Sequence, residues 1–227
     1  MSDAELRALE TRLRDRFRVV ETEIEIAGRQ LRLLHPESAE DLIDETAFER
    51  DERLPYWAEL WPSARILAER VAPLDGSDRT LLELGCGAGL VTTAACIAGF
   101  TVTASDYYED ATRFARVNAW RNTGCSPHAL HLDWRHLSSP MKRHDVVAAS
   151  DVLYERPYGT LVARAIATTL SPDGIAYVAD PGRVARSEFL AALPPLGLTL
   201  RSRSNAPYRD GDVRQTIAIF EICYDGS

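Results

Sequence analysis

The sequence predicts an α/β fold, in which helices cover both faces of a mostly parallel sheet. One observation is a short apolar run at residues 81–84 that leads into a glycine-rich turn and then a helical segment at 90–98. A second is the alternation of strand-like and helix-like segments as far as residue 179. A third is the short link at 205–212, which cannot hold a helical crossover, so the last two strands should pair antiparallel.

Length and composition limit the classes of protein that need to be considered. A chain of 227 residues, 45% apolar and 26% charged, is typical of one globular domain with some elaboration. The net charge of −8 argues against nucleic acid as the main partner. No apolar run is long enough to span a membrane, and the charged first residues do not resemble a signal peptide. The four cysteines lack CxxC spacing, so we expect reduced thiols and a cytoplasmic protein.

The first 53 residues are expected to form an N-terminal elaboration that packs on a domain over residues 54–227. Leu6, Leu9, Leu13 and Phe17 recur at helical spacing and predict an amphipathic helix over 3–17. Alternating apolar and polar residues predict a β-hairpin over 20–34. Ser38 could cap an acidic helix over 39–50.

The domain itself is predicted as a series of strands and helices. The first strand occupies 80–84, and Gly99 is a plausible cap for the helix that ends at 98. The remaining strands are predicted at 101–105, 129–132, 145–149, 175–179, 198–204 and 213–224, with helices at 64–71, 109–121 and 158–170 and a turn at 171–174.

An aromatic segment precedes the first helix of the domain. Tyr56, Trp57 and Trp61 lie between Pro55 and Pro62, which stiffen the backbone. These rings could fill the core beside the first strand, or they could form the wall of a ligand pocket. The sequence leaves both interpretations open.

The glycine-rich turn favours one kind of nucleotide site. Gly85, Gly87 and Gly89 follow the pattern G-x-G-x-G, and Leu90 stands where a dinucleotide fold would place its third glycine. Glu83 precedes the turn, and Asp106 lies at the end of the second strand, where it could accept hydrogen bonds from ribose hydroxyls.

This combination resembles the class I S-adenosylmethionine-dependent methyltransferases, whose first motif is D/E-x-G-x-G-x-G. The resemblance implies a Rossmann-like sheet of seven strands with an antiparallel C-terminal pair, and S-adenosylmethionine as the cofactor, released as S-adenosylhomocysteine. It implies that Glu83 and the glycine turn face the methionine part, that Asp106 binds ribose, and that Asp133 and Trp134 hold the adenine. The full set of cofactor-binding residues expected on this basis is Trp61, Glu83, Gly85, Cys86, Gly87, Gly89, Asp106, Tyr107, Asp133, Trp134 and Ser150.

The residues after the fourth strand narrow the resemblance. Asp151-x-x-Tyr154 is similar to the D-x-x-Y motif of protein-lysine methyltransferases. The segments PYWAxxWP at 55–62 and DPGR at 180–183 are similar to the group, with bacterial members, that acts on the electron-transfer flavoprotein β subunit. Ser63-Ala-Arg-Ile departs from the glycine-rich segment usual there. Asp151 and Tyr154 are the expected catalytic residues, and the expected substrate-binding residues are Tyr56, Trp57, Glu155 and Asp180.

Chemistry supports an amine acceptor without proving one. Methyl transfer needs a lone pair held in line with the S–CH₃ bond. A carboxylate such as Asp151 can accept the N–H bonds of an amine and aim it, while a sulfonium and a dry aromatic pocket lower the pKa of a lysine.

Several alternatives remain at this stage. The protein could methylate a small molecule on nitrogen or oxygen, or be a non-catalytic cofactor-binding scaffold. Adenine-N6 and glutamine methyltransferases carry N/D-P-P-Y/F where this chain has Val152 and Leu153. Cytosine-C5 chemistry needs a cysteine near the fourth strand, and the chain has none between Cys125 and Cys223. The histidines follow no metal-ligand pattern, so we expect no metal.

Overall fold

The computed structural model describes residues 1–39, 42, 55–138 and 140–226, and its centre is a sheet of seven strands. The strand order is β5-β4-β3-β6-β7-β9-β8, and the first five of these strands run parallel while β9 and β8 form an antiparallel end. The predicted α/β fold is therefore confirmed. The strands of this sheet are β3 (Thr80–Leu84), β4 (Thr101–Asp106), β5 (His128–His131), β6 (His144–Ser150), β7 (Leu170–Asp180), β8 (Leu198–Asp210) and β9 (Val213–Tyr224).

Helices lie on both faces of the sheet because its central strands are apolar on both sides. In β3, Leu81 and Leu82 point to opposite faces and both are fully buried. One face carries α2 (Pro62–Val71), α3 (Leu90–Ile97) and α4 (Glu109–Thr123), and the other carries α5 (Arg156–Thr169) and α6 (Arg186–Ala192).

The N-terminal elements pack against the first of these faces. They are α1 (Asp3–Arg16), which begins with a capping box between Ser2 and Glu5, and the antiparallel pair β1 (Val19–Ile26) and β2 (Arg29–Pro36). Asn118 of α4 fixes β2 in place: its Oδ1 accepts from Leu34 N at 2.8 Å, and its Nδ2 donates to the carbonyl oxygens of Leu34 and Ala88 at 2.7 and 2.8 Å. The helix predicted over 39–50 and the division of the chain after residue 53 fall on residues outside those described.

Two segments differ from the prediction. The strand expected over 198–204 continues to Asp210, because the polar residues that suggested a loop lie on an exposed hairpin and pair with β9 up to the turn at Gly211. The turn expected at 171–174 lies within β7 and interrupts its pairing with β6. Leu170 pairs with His144, and the pairing resumes with Ile175 opposite Val146. None of the helices in the described residues is long and apolar enough to cross a membrane.

Candidate active site

An open cavity lies at the carboxyl edge of the sheet, where β3, β4 and β6 end. This is where ligands bind in open α/β sheets. Its wall includes most of the residues predicted to bind cofactor or substrate. These are Tyr56, Trp57, Trp61, Gly85, Cys86, Gly87, Gly89, Asp106, Tyr107, Asp133, Trp134, Ser150, Asp151, Tyr154 and Glu155. Two predicted site residues, Glu83 and Asp180, are not part of the wall.

The glycine-rich turn connects β3 to α3 below the cavity. Gly89 has a φ of +84°, and a Cβ on this residue would lie 2.4 Å from Ala115 Cα. Gly89 is therefore required by the close packing of α3 on α4 as well as by the turn. Gly87 N donates to Asp106 Oδ2 at 3.0 Å, so the turn and the end of β4 hold each other in place.

Asp106 is held by the main chain. Its Oδ1 accepts from Tyr108 N at 3.0 Å, and its side chain is buried beside the turn. Burial raises the pKa of Asp106 to about 6, while the N–H groups of Tyr108 and Gly87 act in the opposite direction. Each carboxylate oxygen can accept a second hydrogen bond, which leaves capacity for the hydroxyls of a bound ligand.

Glu83, which is predicted to face the methionine part of the cofactor, lies outside the cavity wall. The alternation of β3 turns Glu83 to the same face as Leu81, underneath α3. There it accepts from Thr92 Oγ1 at 2.5 Å and is almost fully buried. Desolvation raises the pKa of Glu83 to about 8. Its observed role is to join β3 to the first turns of α3.

The end of the cavity next to β5 contains Asp133 and Trp134. Arg135 donates from Nη2 to Asp133 Oδ2 at 2.8 Å and from its backbone N to Oδ1 at 3.0 Å, and this pairing lowers the pKa of Asp133. The Trp134 ring lies beside Gly85 and packs edge-on against Tyr158 at 5.7 Å. Trp134 Nε1 is buried and no group in the described residues accepts its hydrogen. A donor left without a partner in a cavity wall is available to a ligand.

Asp151 follows β6 and has two unusual features. Its backbone adopts φ +58°, a left-handed conformation that costs energy for a residue with a side chain. Its Oδ1 accepts from Arg183 Nε at 2.6 Å, whereas Oδ2 is buried and has no partner among the described residues. Arg183 is itself placed by Trp61, over whose ring its guanidinium lies at 5.1 Å. One oxygen of Asp151 is thus fixed and the other remains available.

Aromatic side chains form another part of the cavity wall. Tyr154 lies between Tyr56 at 5.2 Å and Tyr158 at 4.9 Å, and burial raises its pKa. Trp61 Nε1 donates to the Tyr56 carbonyl at 2.9 Å, which fixes the aromatic segment over the cavity. Trp57 fulfils both of the interpretations left open by the sequence, since it contacts Phe114 in the core and also lines the cavity.

Asp180, predicted to bind substrate, is fully buried at the end of β7. Its Oδ2 accepts from Arg186 Nε at 2.5 Å and from Gly182 N at 2.9 Å. The side chain lies beneath α6 because alternation along β7 turns it to the same face as Val178. Asp180 therefore shapes the loop that carries Arg183, and its contact with a substrate stays a prediction.

Two residues in the site were missed. Arg183 belongs to the DPGR segment at 180–183, but that segment does not indicate that the guanidinium pairs with Asp151. Tyr158 was predicted only as part of a helix, and its ring contact with Tyr154, which precedes that helix, was not expected. In the described part of the chain, no group of three or more His, Cys, Asp or Glu residues is arranged to hold a metal ion.

Similar proteins were found at the level of family, sequence and structure. Protein-lysine methyltransferase METTL21E of Bos taurus is 30% identical over 116 residues, which are 45% of this chain and 40% of that protein. A ubiquinone biosynthesis O-methyltransferase of Hydrogenovibrio crunogenus is 26% identical over 115 residues, 50% of this chain and 47% of that protein. The chain thus spans about half the length of the curated relatives it matches.

The solved structures show the same fold. The magnesium protoporphyrin IX methyltransferase of Synechocystis PCC 6803, solved with bound SAM, superposes with a TM-score of 0.55 at 17% identity, over 80% of this chain and 93% of that one. The family model described as a methyltransferase domain matches residues 56–206. This match covers more than half of the sequence, so the family predicted from the glycine motif is confirmed: the chain belongs to the methyltransferase domain family.

Proposed function

We propose that this protein is an S-adenosylmethionine-dependent methyltransferase that methylates the side-chain amine of a protein lysine. The observation that carries the choice of acceptor is Asp151, a residue that lines an aromatic cavity and whose buried Oδ2 has no partner among the described residues. An amine donates hydrogen bonds and would satisfy this oxygen, whereas a deprotonated oxygen acceptor would not.

The residues at the β3–β4–β5 side fit the cofactor. Asp106 retains acceptor capacity for ribose hydroxyls, and the unpartnered Trp134 Nε1 and the ring of Trp134 are suited to a base. The glycine turn allows close backbone approach below them. When bound, S-adenosylmethionine supplies a methyl group on a positively charged sulfur.

On the acceptor side, the protein would act chiefly by positioning. Arg183 holds one oxygen of Asp151, so the other has a defined direction in which to accept an N–H bond. Tyr56, Tyr154 and Tyr158 exclude water around the amine, which favours its neutral, nucleophilic form. The proton lost from the ammonium would leave before transfer, because only the lone pair of the neutral amine can attack.

A small-molecule acceptor is the second candidate. It is favoured by the similarity to ubiquinone biosynthesis O-methyltransferases, which match a comparable share of the chain. An enzyme acting on a hydroxyl would need a group that removes the hydroxyl proton. Asp151 could serve as that base, so the acceptor has to be identified by experiment. A cofactor-binding scaffold without catalysis is the remaining alternative.

Two measurements test the proposal. Ligand binding to the folded state stabilises it by about 2.7 kcal/mol at a hundredfold excess over Kd, so saturating S-adenosylmethionine should raise Tm clearly. Transfer of labelled methyl groups into a lysate, separated into protein, nucleic-acid and small-molecule fractions, should then label protein. Acid hydrolysis of that fraction should yield methyllysine.

The outcomes are distinct. No change in Tm with S-adenosylmethionine would rule out cofactor binding. A shift in Tm with label only in the small-molecule fraction would establish the second candidate, and a shift with no label in any fraction would favour the scaffold.

A further inference from the structure

The hairpin formed by β8 and β9 extends well past the rest of the sheet. In the register of the sheet, Asp180 at the end of β7 lies opposite Ala218, which lies opposite Asn205. Residues 206–217 therefore project beyond the carboxyl edge, on the side where the cavity opens. We call residues 203–216 the arm.

On one side of the paired strands of the arm every charged side chain is an arginine, while Asp212 lies in the turn at the tip. Arg203 lies opposite Phe220, and Arg209 lies directly opposite Arg214. Because side chains two residues apart share a face, these three arginines lie on the same side of the hairpin, all exposed, and no ion pair joins them to an acid among the described residues. Asp210, which is also near the tip, lies on the opposite side of the hairpin. Its Oδ2 lies 3.1 Å from Nη1 of Arg65 in α2.

The facing pair of arginines is unfavourable for the isolated protein. Like charges directly opposite each other on an antiparallel pair destabilise it. The arm is nevertheless held firmly on its other side, where Tyr208 packs on the core and lies under the Arg65 guanidinium at 5.8 Å. A fixed basic surface on a chain of net charge −8 is complementary to an anionic partner.

The edge position of the arm favours an extended protein segment over a nucleic acid. β8 is the last strand of the sheet, so its outer edge offers unpaired backbone groups. An extended peptide can pair with such an edge. A nucleic acid has no backbone amides with which to continue the pairing of this edge.

We propose that the arm binds an acidic segment of the protein substrate and so guides a nearby lysine to Asp151; this rests on the proposed lysine methyltransferase function. Adjacent strands lie about 4.8 Å apart and residues rise about 3.3 Å along a strand, which puts Arg209 and Arg214 roughly 15–20 Å from Asp151. An extended chain covers that distance in about 5 or 6 residues.

The test uses the whole protein and two labelled peptides. One peptide carries a single lysine and, about six residues away, a run of glutamates, a separation that follows from the reach of an extended chain. The other has glutamines in place of the glutamates. Fluorescence anisotropy gives the Kd of each peptide without any methyl transfer, so binding to the arm is measured apart from catalysis.

We expect the glutamate peptide to bind about tenfold more tightly than the glutamine peptide at low salt, with the difference shrinking as salt is added. The variant Arg203→Gln/Arg209→Gln/Arg214→Gln should lose this preference. The matched control, Arg12→Gln/Arg29→Gln/Arg164→Gln, removes the same charge from exposed arginines elsewhere and should keep it.

Other results would overturn the proposal. The two peptides could bind with equal affinity, or the preference for the glutamate peptide could persist in the arm variant. The control variant could lose that preference as fully as the arm variant does. A single-stranded RNA could also bind more tightly than the glutamate peptide. Unchanged stabilisation of the arm variant by S-adenosylmethionine shows that its fold and cofactor site are intact. If the peptides bind as expected but no lysine is methylated, the proposed function fails while the arm proposal stands as acidic-segment binding.

Discussion

Asp106 and Asp151 flank the glycine turn from opposite sides and are equally buried, each 7% exposed, yet they are satisfied in different ways. The oxygens of Asp106 accept from two backbone N–H groups, those of Gly87 and Tyr108. Asp151 has one oxygen on the side chain of Arg183 and one with no partner in the part of the chain that is described. Asp106 is therefore held by the protein at both oxygens, whereas Asp151 is held at one.

This difference indicates where the protein stores energy. A buried acceptor without a hydrogen bond costs about 1–3 kcal/mol, and the left-handed backbone of Asp151 adds to that cost. A free protein retains such a cost at a site where a bound ligand supplies the missing hydrogen bond. We therefore expect substitutions on the acceptor side to change mainly activity, and substitutions on the cofactor side to change mainly stability.

The largest expected effect concerns stability on the cofactor side, through Glu83. Its pKa is raised by burial from 4.5 to about 8, so the folded state holds a proton that the unfolded state has lost. Stability should be complete below pH 4.5 and fall as pH rises towards 8, by on the order of 4 kcal/mol. Glu83→Gln cannot ionise and should remove this dependence, with a gain in stability at pH 8 and little change at pH 4.5.

Denaturant unfolding of both proteins across this pH range measures the effect. The difference between variant and wild type isolates Glu83, because other titrating groups such as Asp106 are present in both. If the free energies of unfolding of wild type and Glu83→Gln change in parallel with pH, Glu83 is ionised in the folded state. The cofactor side would then also contain a buried charge whose hydrogen bonds are only partly satisfied.

Glu83 also shows how far the sequence could lead. The glycine turn, the alternation of elements and the position of Asp106 depend on neighbouring residues, and they were predicted correctly as structure. The placement of Glu83 could have been derived too, since the period of two in β3 puts it on the face of Leu81. The motif resemblance implies a contact with the cofactor, whereas this period places the side chain beneath α3.

Other features depend on contacts distant in sequence, which local patterns do not encode. Arg183 reaches Asp151 across the end of β7, and the pairing depends on how the following loop is turned by Asp180. The length of β8 was underestimated because its residues are polar, and only the partner strand shows that they are paired. The roles of the individual site residues towards cofactor and substrate stay predictions, as does the cytoplasmic location.

A smaller effect, of about 100-fold in kcat, is expected when the free oxygen of the acceptor side is removed. Asn tolerates the left-handed backbone, so Asp151→Asn should keep the fold while it replaces an acceptor by a donor amide. The Kd for S-adenosylmethionine should not change. The matched variant Asp106→Asn should show the opposite pattern, with weaker cofactor binding. Calorimetric titration together with methyl-transfer kinetics separates the two effects.

The smallest of these effects, about tenfold in kcat, is expected for Arg183, which acts on the acceptor through Asp151. Arg183→Gln removes the charge that fixes Oδ1, so Asp151 should aim the acceptor less well, with KM for the acceptor nearly unchanged. Arg183→Lys keeps the charge and part of the packing on Trp61 and should recover some of the loss. A purely structural role would lower Tm equally in both variants and give no such recovery in kcat. Equal kcat in wild type and Arg183→Gln would mean that Asp151 is positioned by its own backbone, whose N–H donates to the Ala179 carbonyl oxygen at 3.0 Å. Asp151 would then resemble Asp106 in being held by the main chain, and the two sides of the site would be more alike than their side chains indicate.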